Sequence, residues 1–256
     1  MTTESSPVPT PAKSVTARAL SVLGAFSAVT PRLTLSQISR TTGLPVATVY
    51  RLAGELEEGG FLQKDPSGGF RLGVRLWEMG LLTPVHGRLR EVAMPFLLNL
   101  QYATRETVQL AVCDGLDAVY VEKLTSEVGI PVQTRIGARI PMHATAVGQV
   151  MLAYGSEELI DAVVSAPLTQ YTENTITSKR ALLKELSIIR ERGYALSTEE
   201  YVAGSTAIAA PVIVRGQVEA AIGVVNYTLR EDIEVCYPAL NDACLGFATR
   251  LEENPL

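Results

Sequence analysis

The sequence predicts an α+β protein in two parts, a helical region that extends to about residue 104 and a second region built on an antiparallel sheet. Apolar residues recur at helical spacing through most of the first part. From Glu106 onwards the period changes to the alternation that is typical of strands. At 256 residues, with 47% of them apolar, the chain is long enough for about two domains with their own cores.

The first part is centred on two short helices joined by a tight turn. Thr34 and Gln37 have the spacing of a capping box at the start of the first helix. Gly43 lies where a helix end requires a left-handed residue, and Pro45 lies where the next helix tolerates a missing N–H. In the second helix, the spacing of the apolar residues directs the other residues outward. These are Ala47, Thr48, Tyr50, Arg51 and Gly54.

This outward face is small, able to form hydrogen bonds, and carries one cation. Such a face suits base edges in a major groove, and Tyr50 and Arg51 can also reach phosphate. An ordinary surface helical hairpin is the alternative. The residues of the two helices that we expect to contact DNA are Thr34, Ser36, Gln37, Ala47, Thr48, Tyr50 and Arg51.

The flanking segments complete a winged helix-turn-helix over residues 13–73. A helix is predicted from about Ser14 to Val29, ended by Pro31, and it would cover the back of the helix pair. Two short strands around the turn DPSGG predict a hairpin. Lys64 and Arg71 flank its tip and are expected to contact phosphate, although they also fit two ordinary solvated charges.

Residues 74–104 are predicted to form linker and dimerisation helices, broken near Pro84 and Gly87. The first helix carries more apolar residues than a simple connector needs, so it is expected to pair between subunits. A helix packed on its own domain is the alternative. Residues 105–256 then alternate strands and helices, and end in a helix from about Asp232 to Leu251, which predicts an α+β domain with an antiparallel sheet.

Charge and composition exclude several classes of function. Residues 1–73 carry seven basic and five acidic side chains, a net charge of +2, whereas the remainder carries fifteen against twenty-two, a net charge of −7. DNA binding is therefore expected only in the first part. Residues 1–12 are predicted to be a disordered leader without the features of a signal peptide. Since no stretch has the length of a membrane span, a soluble, cytoplasmic protein without a membrane partner is expected.

The sequence predicts no catalytic residue, no metal site and no cofactor. Three widely spaced cysteines and two histidines exclude a multi-histidine metal site and argue against disulfides or zinc. Cys113 and His143 are a nucleophile and a base in principle, but Cys113 is predicted to be buried and inert in a strand. Dinucleotide, P-loop and hydrolase motifs do not occur.

Taken in order, the segments SVTARALSVL, LTLSQISRTTGLPVATVYRLAGELEEGGFL, GGFRLG, RETVQLAV, IGARIPMHATAVGQVMLAY, RERGYAL and AIAAPV resemble the IclR family of bacterial transcriptional regulators. The resemblance covers nearly the whole chain. It implies a winged helix-turn-helix that binds a near-palindromic double-stranded operator, a homodimer or dimer of dimers, and a GAF-like domain that binds a small-molecule effector.

The effector site is expected around the segment HATAVGQ. Its small residues, Ala144, Ala146 and Gly148, would let a ligand approach free backbone N–H groups at a helix start. Close helix packing is the alternative reason for their size. The family pattern implies effector contacts from this segment and from the neighbouring strands, at Val132, Ile140, Met142, Ala146, Val147, Ser197, Ala207, Gly223 and Val225.

Several positions depart from the residues common in family members that bind small keto acids. Ser197 replaces an Asp, Ala207 replaces a Cys, Gly223 and Val225 replace serines, and Gln149 replaces a Lys. We therefore expect a larger and more apolar effector, such as an aromatic or acyl compound with at most one anionic group. Val46 and Ala47 replace the frequent Lys and Ser, so the operator need not match a family consensus.

The expected function is a one-component switch. Effector binding in the second domain would change operator affinity through the 73–104 linker, and the two ligands must then affect each other's affinity equally. Repression is the expected sign. An activator of the same architecture, and an interaction module that has lost DNA binding, remain the alternatives.

Overall fold

The chain divides into two compact units, with the division directly after Thr83. The computed structural model describes residues 14–83, 89–125, 134–226 and 232–253. The first unit consists of three helices, a small three-stranded sheet whose first strand lies between the first two helices, and a fourth helix. The elements are α1 (Val15–Gly24), β1 (Arg32–Leu33), α2 (Leu35–Thr42), α3 (Val46–Glu58), β2 (Leu62–Lys64), β3 (Phe70–Leu72) and α4 (Val74–Gly80).

The first unit confirms the predicted winged helix-turn-helix. Thr34 and Gln37 form the reciprocal capping box at the start of α2, and Gly43 adopts the left-handed conformation with φ of 70°. The hairpin β2–β3 is antiparallel, and β1 pairs with the other edge of β3. The preceding helix is shorter than predicted, because α1 ends at Gly24, and its fully buried residue is Val22.

The predicted linker range 74–104 is divided between the two units. Helix α4 lies in the first unit and buries none of its residues. Helix α5 (Arg90–Thr104) belongs to the core of the second unit, where Ala93, Leu97 and Leu100 are fully buried. The expectation that 74–104 forms linker and dimerisation helices does not account for α5, whose apolar side packs on the sheet of the second unit. The predicted break near Pro84 and Gly87 falls outside the described residues.

The second unit confirms the predicted α+β domain with an antiparallel sheet, which in the described residues has six strands and helices on both faces. After α5 the elements are β4 (Thr107–Asp114), β5 (Asp117–Leu124), β6 (Arg139–Pro141), α6 (Ala146–Tyr154), α7 (Glu157–Ser165), α8 (Lys179–Arg192), β7 (Ala195–Thr198), β8 (Thr206–Val214), β9 (Gln217–Asn226) and α9 (Tyr237–Glu253). The strand order is β6-β5-β4-β9-β8-β7. Short 3-10 turns precede α6 and α9.

Side-chain alternation along the strands divides the core of this unit into two layers. On β8, Ile208, Ala210 and Val212 point to the layer that contains α5 and α9. Ala207 and Ala209, which alternate with them, point to the layer that contains α6, α7 and α8. Because both faces of the central strands are covered, their runs are almost continuously apolar.

Two expectations for the second unit are wrong. Cys113 is exposed rather than buried, because it lies near the end of β4 where the strand leaves the core. The last α-helix begins at Tyr237 rather than near Asp232, since a 3-10 turn occupies Ile233–Cys236. Within the described ranges, no helix has both the length and the apolar character that crossing a bilayer requires.

Candidate DNA-binding surface and effector cavity

The turn between α2 and α3 is held by two hydroxyl groups. Ser39 Oγ donates to the carbonyl of Leu44 at 2.6 Å. Thr42 Oγ1 donates to the carbonyl of Ile38 at 2.7 Å and accepts from the backbone N–H of Leu44 at 3.3 Å. These bonds satisfy backbone groups at the end of α2, so they determine how α3 leaves the turn.

One face of α3 is buried and the other is exposed, as the spacing predicted. Val49, Leu52 and Ala53 lie in the core of the first unit. Tyr50 is 69% exposed, Ala47 and Arg51 are exposed, and Thr48 is half-buried. Pro45 caps the helix without a side-chain hydrogen bond, so the N–H groups of the first turn remain available to a phosphate.

The predicted residues of α2 lie beside this turn. Thr34, Ser36 and Gln37 are all exposed. Gln37 Oε1 accepts from the backbone N–H and the hydroxyl of Thr34 at 2.8 and 2.9 Å. The side-chain oxygen of Gln37 is thus occupied inside the capping box. Gln37 can offer its amide nitrogen to DNA, and Ser36 can offer its hydroxyl.

The cations expected to contact phosphate are paired within the unit. Arg51 Nη1 lies 2.5 Å from Glu55 Oε1, one turn further along α3. Lys64 Nζ lies 2.8 Å from Glu57 Oε2, and this hydrogen bond raises the pKa of Lys64. Arg71 donates to Gln63 Oε1 at 3.0 Å. These contacts are of low strength, so a phosphate can replace the carboxylate of Glu55 or Glu57, or the amide oxygen of Gln63.

The wing hairpin turns through an Asp-Pro-Ser-Gly-Gly loop. The backbone N–H of Ser67 donates to Asp65 Oδ1 at 3.0 Å, and hydrogen bonds from Ser67 lower the pKa of Asp65. Gly69 has φ of 97°, and a Cβ there would lie 2.7 Å from the carbonyl oxygen of Leu33. Glycine is therefore required at Gly69 by both conformation and space.

In the second unit, a cavity lies between the N-terminal end of α6 and the sheet. Ser197, Ala207 and Val225 are cross-strand partners on β7, β8 and β9, and they form one row of its floor. Gly223 and its partner Gln109 on β4 lie in the next row. The lining consists of Gln109, Tyr120, Thr134, Ala144, Thr145, Ala146, Val147, Ser197, Tyr201, Val202, Ser205, Ala207, Gly223 and Val225.

The cavity is small and lined without charge. Its volume is about 40 Å³, and no charged side chain occurs among the described lining residues. A single water needs roughly 10–15 Å³ by the same measure, whereas a cavity of about 150 Å³ accepts benzene. A cavity of this volume has room for a few waters but not, by itself, for an aromatic ring.

Six of the predicted effector residues line the cavity, namely Ala146, Val147, Ser197, Ala207, Gly223 and Val225. Ile140 and Met142 do not line it. Both are almost completely buried in the layer of α6, α7 and α8, where their side chains pack into the core. Val132 lies outside the described residues. Gly148 does not open the site to a ligand either, because a Cβ there would lie 2.4 Å from Cα of Met142.

Sequence reasoning missed several polar lining residues. Gln109 is 2% exposed, and its Nε2 lies 3.5 Å from Thr134 Oγ1. Tyr120, Thr145, Tyr201 and Ser205 also contribute polar side chains. A signal for Gln109 was present, since a glutamine inside the apolar run TVQLAV is buried and needs a polar partner. The others come from separate loops and strands, and only the fold brings them together.

Cys113 and His143 each have a different partner, so they do not form a nucleophile and base pair in this arrangement. Cys113 Sγ lies 3.7 Å from the carbonyl oxygen of Gly115. Partial desolvation, reinforced by Asp114, raises the pKa of the Cys113 thiol and disfavours the thiolate. His143 Nε2 is bonded to the carbonyl of Thr169 at 3.0 Å. The described residues contain no cluster that would hold a metal ion.

Known families match both units. Residues 15–66 match the IclR helix-turn-helix domain, and residues 84–243 match the bacterial transcriptional regulator IclR C-terminal domain. The transcriptional regulator XynR of Escherichia coli K12 is 34% identical, over 84% of this chain and 86% of its own. The transcriptional repressor AllR of the same strain is 32% identical, over 74% of this chain and 71% of its own.

Solved structures agree with the sequence comparisons. An IclR homologue from Microbacterium hydrocarbonoxydans, in complex with 4-hydroxybenzoate, superimposes with a TM-score of 0.89. The two are 32% identical, and the match covers 94% of this chain and 100% of that one. The capped helix-turn-helix, the wing and the antiparallel sheet are thus parts of a known architecture, and the chain belongs to the IclR family of bacterial transcriptional regulators.

Proposed function

We propose that this regulator represses transcription by binding a near-palindromic operator as a homodimer or dimer of dimers, and that a small aromatic effector changes its operator affinity. The observation that carries the DNA-binding part is the exposed face of α3, held by the capped turn after α2. Repression is supported by the relative that is named a repressor. A dimer over a promoter is also the simplest blocking arrangement.

The residues of the first unit divide into two roles in this proposal. Ala47, Thr48 and Tyr50 on α3 meet base edges in the major groove, together with Ser36 and Gln37. Arg51, Lys64 and Arg71 contact phosphate or sugar, and so does the hydroxyl of Thr34 once it leaves Gln37 Oε1, to which it donates at 2.9 Å in the free protein. Contacts of the second kind position the protein on the duplex and make binding depend on salt.

The effector proposal is based on the uncharged cavity. A compact dicarboxylate or keto acid needs a cation or several donors, whereas the described lining offers small apolar side chains, hydroxyls and the amide of Gln109. The backbone amides of Ala146 and Val147, at the start of α6, are the proposed partners of one anionic group. 4-Hydroxybenzoate, which is bound in the structure of the relative from Microbacterium hydrocarbonoxydans, has one carboxylate on an aromatic ring. That complex supports the same class of ligand here.

The dimer proposal is based on α4 and the residues that follow it. Val74, Trp77 and Leu82 are 66%, 64% and 84% exposed, which is unusual for large apolar side chains close together in sequence. We propose that a second copy covers them. Analytical ultracentrifugation compares the oligomeric state of the wild type with that of Trp77→Glu, which is expected to dissociate. A variant that stays as associated as the wild type contradicts the proposed interface.

The first test is fluorescence anisotropy on the duplex upstream of the protein's own gene, against a scrambled duplex, over a salt series. Arg51→Ala is expected to weaken operator binding and to lower the salt slope by about 1. Glu55→Gln is the matched variant, because it frees Arg51 from its pair at 2.5 Å, and it is expected to strengthen binding. Equal affinity of wild type and Arg51→Ala at every salt concentration contradicts the proposed DNA surface.

The second test is calorimetry with 4-hydroxybenzoate and benzoate, against pyruvate and glyoxylate. The aromatic acids are expected to bind and to change the operator affinity. A coupling free energy of about 1–3 kcal/mol between effector and operator binding is ordinary for such switches. Binding of the small acids alone contradicts the effector class. Arg51→Ala is expected to bind the effector as the wild type does, and loss of both activities contradicts the assignment to two separate sites.

No catalytic activity is part of the proposal. The relatives are named as transcriptional regulators, and the raised pKa of the Cys113 thiol does not support a nucleophile.

A further inference from the structure

Three cross-strand partners form a row across the floor of the effector cavity. Lys123 on β5 is paired with Gln109 on β4, and Gln109 is paired with Gly223 on β9. Residues directly opposite each other on neighbouring strands direct their side chains to the same face of the sheet. Gln109 lines the cavity, so the side chain of Lys123 also lies on the cavity side. A cation is therefore placed at the β5 end of a cavity whose described lining carries no charge.

Thr134 connects the ammonium group of Lys123 to the cavity. Lys123 Nζ donates to the carbonyl oxygen of Thr134 at 3.0 Å and to Thr134 Oγ1 at 3.3 Å. Thr134 itself is part of the lining. Lys123 is half-buried, and its partial burial lowers the pKa of the ammonium group. Two contacts to one residue thus hold the charge in place, and it acts on the cavity through the Thr134 hydroxyl.

The contacts of the Thr134 hydroxyl determine what it can offer to a ligand. An ammonium group has donors only, so Thr134 Oγ1 is the acceptor in its contact with Lys123. Gln109 Nε2 lies 3.5 Å from the same oxygen, and it is also a donor. A hydroxyl oxygen has two lone pairs, and these two donors use both of them. The O–H of Thr134 is then the group that donates into the cavity.

The other end of the row lies under the start of α6. A Cβ added to Gly223 would lie 2.9 Å from Val147 Cγ1. Thr145 precedes α6 without a side-chain cap, because its hydroxyl donates to the carbonyl of Pro141 at 2.9 Å. Backbone N–H groups of the first turn are therefore left for an anion. Gly223 and Lys123 are two strands apart, which is roughly 10 Å at about 4.8 Å per strand.

We propose that Lys123 is a positioning residue that selects effectors with an oxygen at the end opposite their carboxylate. The proposal rests on the proposed function, in which the amides at the start of α6 bind the carboxylate. Once the cavity has widened to admit the ring, the ring lies across Gly223 and Gln109, and the far oxygen accepts from the Thr134 hydroxyl. Lys123 polarises that hydroxyl and strengthens it as a donor. 4-Hydroxybenzoate has such an oxygen, whereas benzoate has the same ring and carboxylate without it.

The first measurement tests the contact without an effector, by NMR of ¹⁵N-lysine-labelled full-length protein. The chain has five lysines, and the ammonium resonance of Lys123 is identified by its loss in Lys123→Arg. Thr134→Val removes one of the two hydrogen bonds of this group, so it is expected to shift the resonance and to speed its hydrogen exchange. Ser205→Ala, which removes another hydroxyl of the lining, is expected to leave the resonance unchanged. A Lys123 resonance that Thr134→Val does not alter overturns the inference.

The second measurement is calorimetry, expressed as the ratio of the affinities for 4-hydroxybenzoate and benzoate. The ratio cancels effects on folding and on the carboxylate that both acids share. Thr134→Val removes the hydroxyl and keeps the branched shape, and it is expected to lower the ratio about fivefold, which corresponds to one hydrogen bond. Lys123→Met is expected to produce a large part of the same loss, and Lys123→Arg, which keeps a cationic donor, to restore it. Lys184→Met removes an exposed cation from α8 and is expected to leave the ratio unchanged.

The double variant of Lys123→Met and Thr134→Val separates a positioning role from an independent contact. Its ratio is expected to equal that of Thr134→Val alone, because Lys123 acts through that hydroxyl. Losses that multiply in the double variant, or a wild-type ratio in either single variant, overturn the inference and leave the proposed effector class intact. If neither acid binds the wild type, the proposed effector class fails, and the selecting role of Lys123 fails with it.

Discussion

The buried carboxyl of Glu200 makes the stability of the second unit depend on pH in a calculable way. The ordinary pKa of the group is 4.5, and burial raises it to about 7 in the folded protein. Each tenfold change in proton affinity corresponds to about 1.4 kcal/mol. The folded state binds the proton more tightly than the unfolded state, so its contribution is fully present below pH 4.5 and is lost as pH rises through 7.

Gln149 Nε2 donates to Glu200 Oε2 at 2.6 Å. Replacement of Glu200 by Gln removes the loss at high pH, because glutamine accepts this hydrogen bond without ionising. Relative to Glu200→Gln, the wild type is expected to lose about 3 kcal/mol of unfolding free energy between pH 4.5 and 8. About a third of that loss should be present at pH 5.5 and about half at pH 5.9. Urea unfolding followed by far-UV circular dichroism measures it, while Trp77, the single tryptophan, reports on the first unit.

The control is Glu191→Gln, which removes an exposed carboxylate from α8. It is expected to parallel the wild type at every pH. If Glu200→Gln also parallels the wild type across this range, Glu200 is not held in a desolvated site, and the reasoning about burial is refuted.

Three further predictions concern space and hydrogen bonds. In Gly73→Ala, the Cβ would lie 2.0 Å from the carbonyl oxygen of Gly60. The first unit is therefore expected to lose about 1–3 kcal/mol of unfolding free energy, which would lower the midpoint of urea unfolding. Unchanged stability would contradict this close contact. In Gly223→Ala, the Cβ would lie 2.9 Å from Val147 Cγ1, so calorimetry should show weaker effector binding with operator affinity intact. Ser39→Ala removes a hydrogen bond at 2.6 Å. The variant is expected to lose about 1 kcal/mol of unfolding free energy and to bind the operator more weakly. An operator affinity equal to that of the wild type would show that the turn does not depend on this hydrogen bond.

Local signals were sufficient for the helix-turn-helix. The capping box of Thr34 and Gln37, the left-handed Gly43 and the hairpin glycines act over a few residues, so their spacing along the chain predicts the geometry. The exposed face of α3 follows from the same local periodicity. The family and the fold class were therefore readable from the sequence, and the relatives confirm both.

The cavity was only partly readable, because its residues come from distant segments. Small residues before α6 predicted a cavity at that helix start, but only packing shows that Ala146 and Val147 face the cavity while Gly148 meets the backbone of Met142. Ile140 was expected in the wall and lies in the core instead. Which side of a strand or helix faces a cavity depends on the layers packed against it.

The sequence by itself thus determined the order of elements, the capped turn and the change from helical to strand periodicity at Glu106. The tertiary structure alone decided the charge environment of individual groups. It placed Glu200 beside an amide and out of water, and it left Cys113 exposed at a strand end. Burial and pairing are set by residues far apart in the chain, so the strength of a hydrogen bond or the pKa of a carboxyl is not encoded in local spacing.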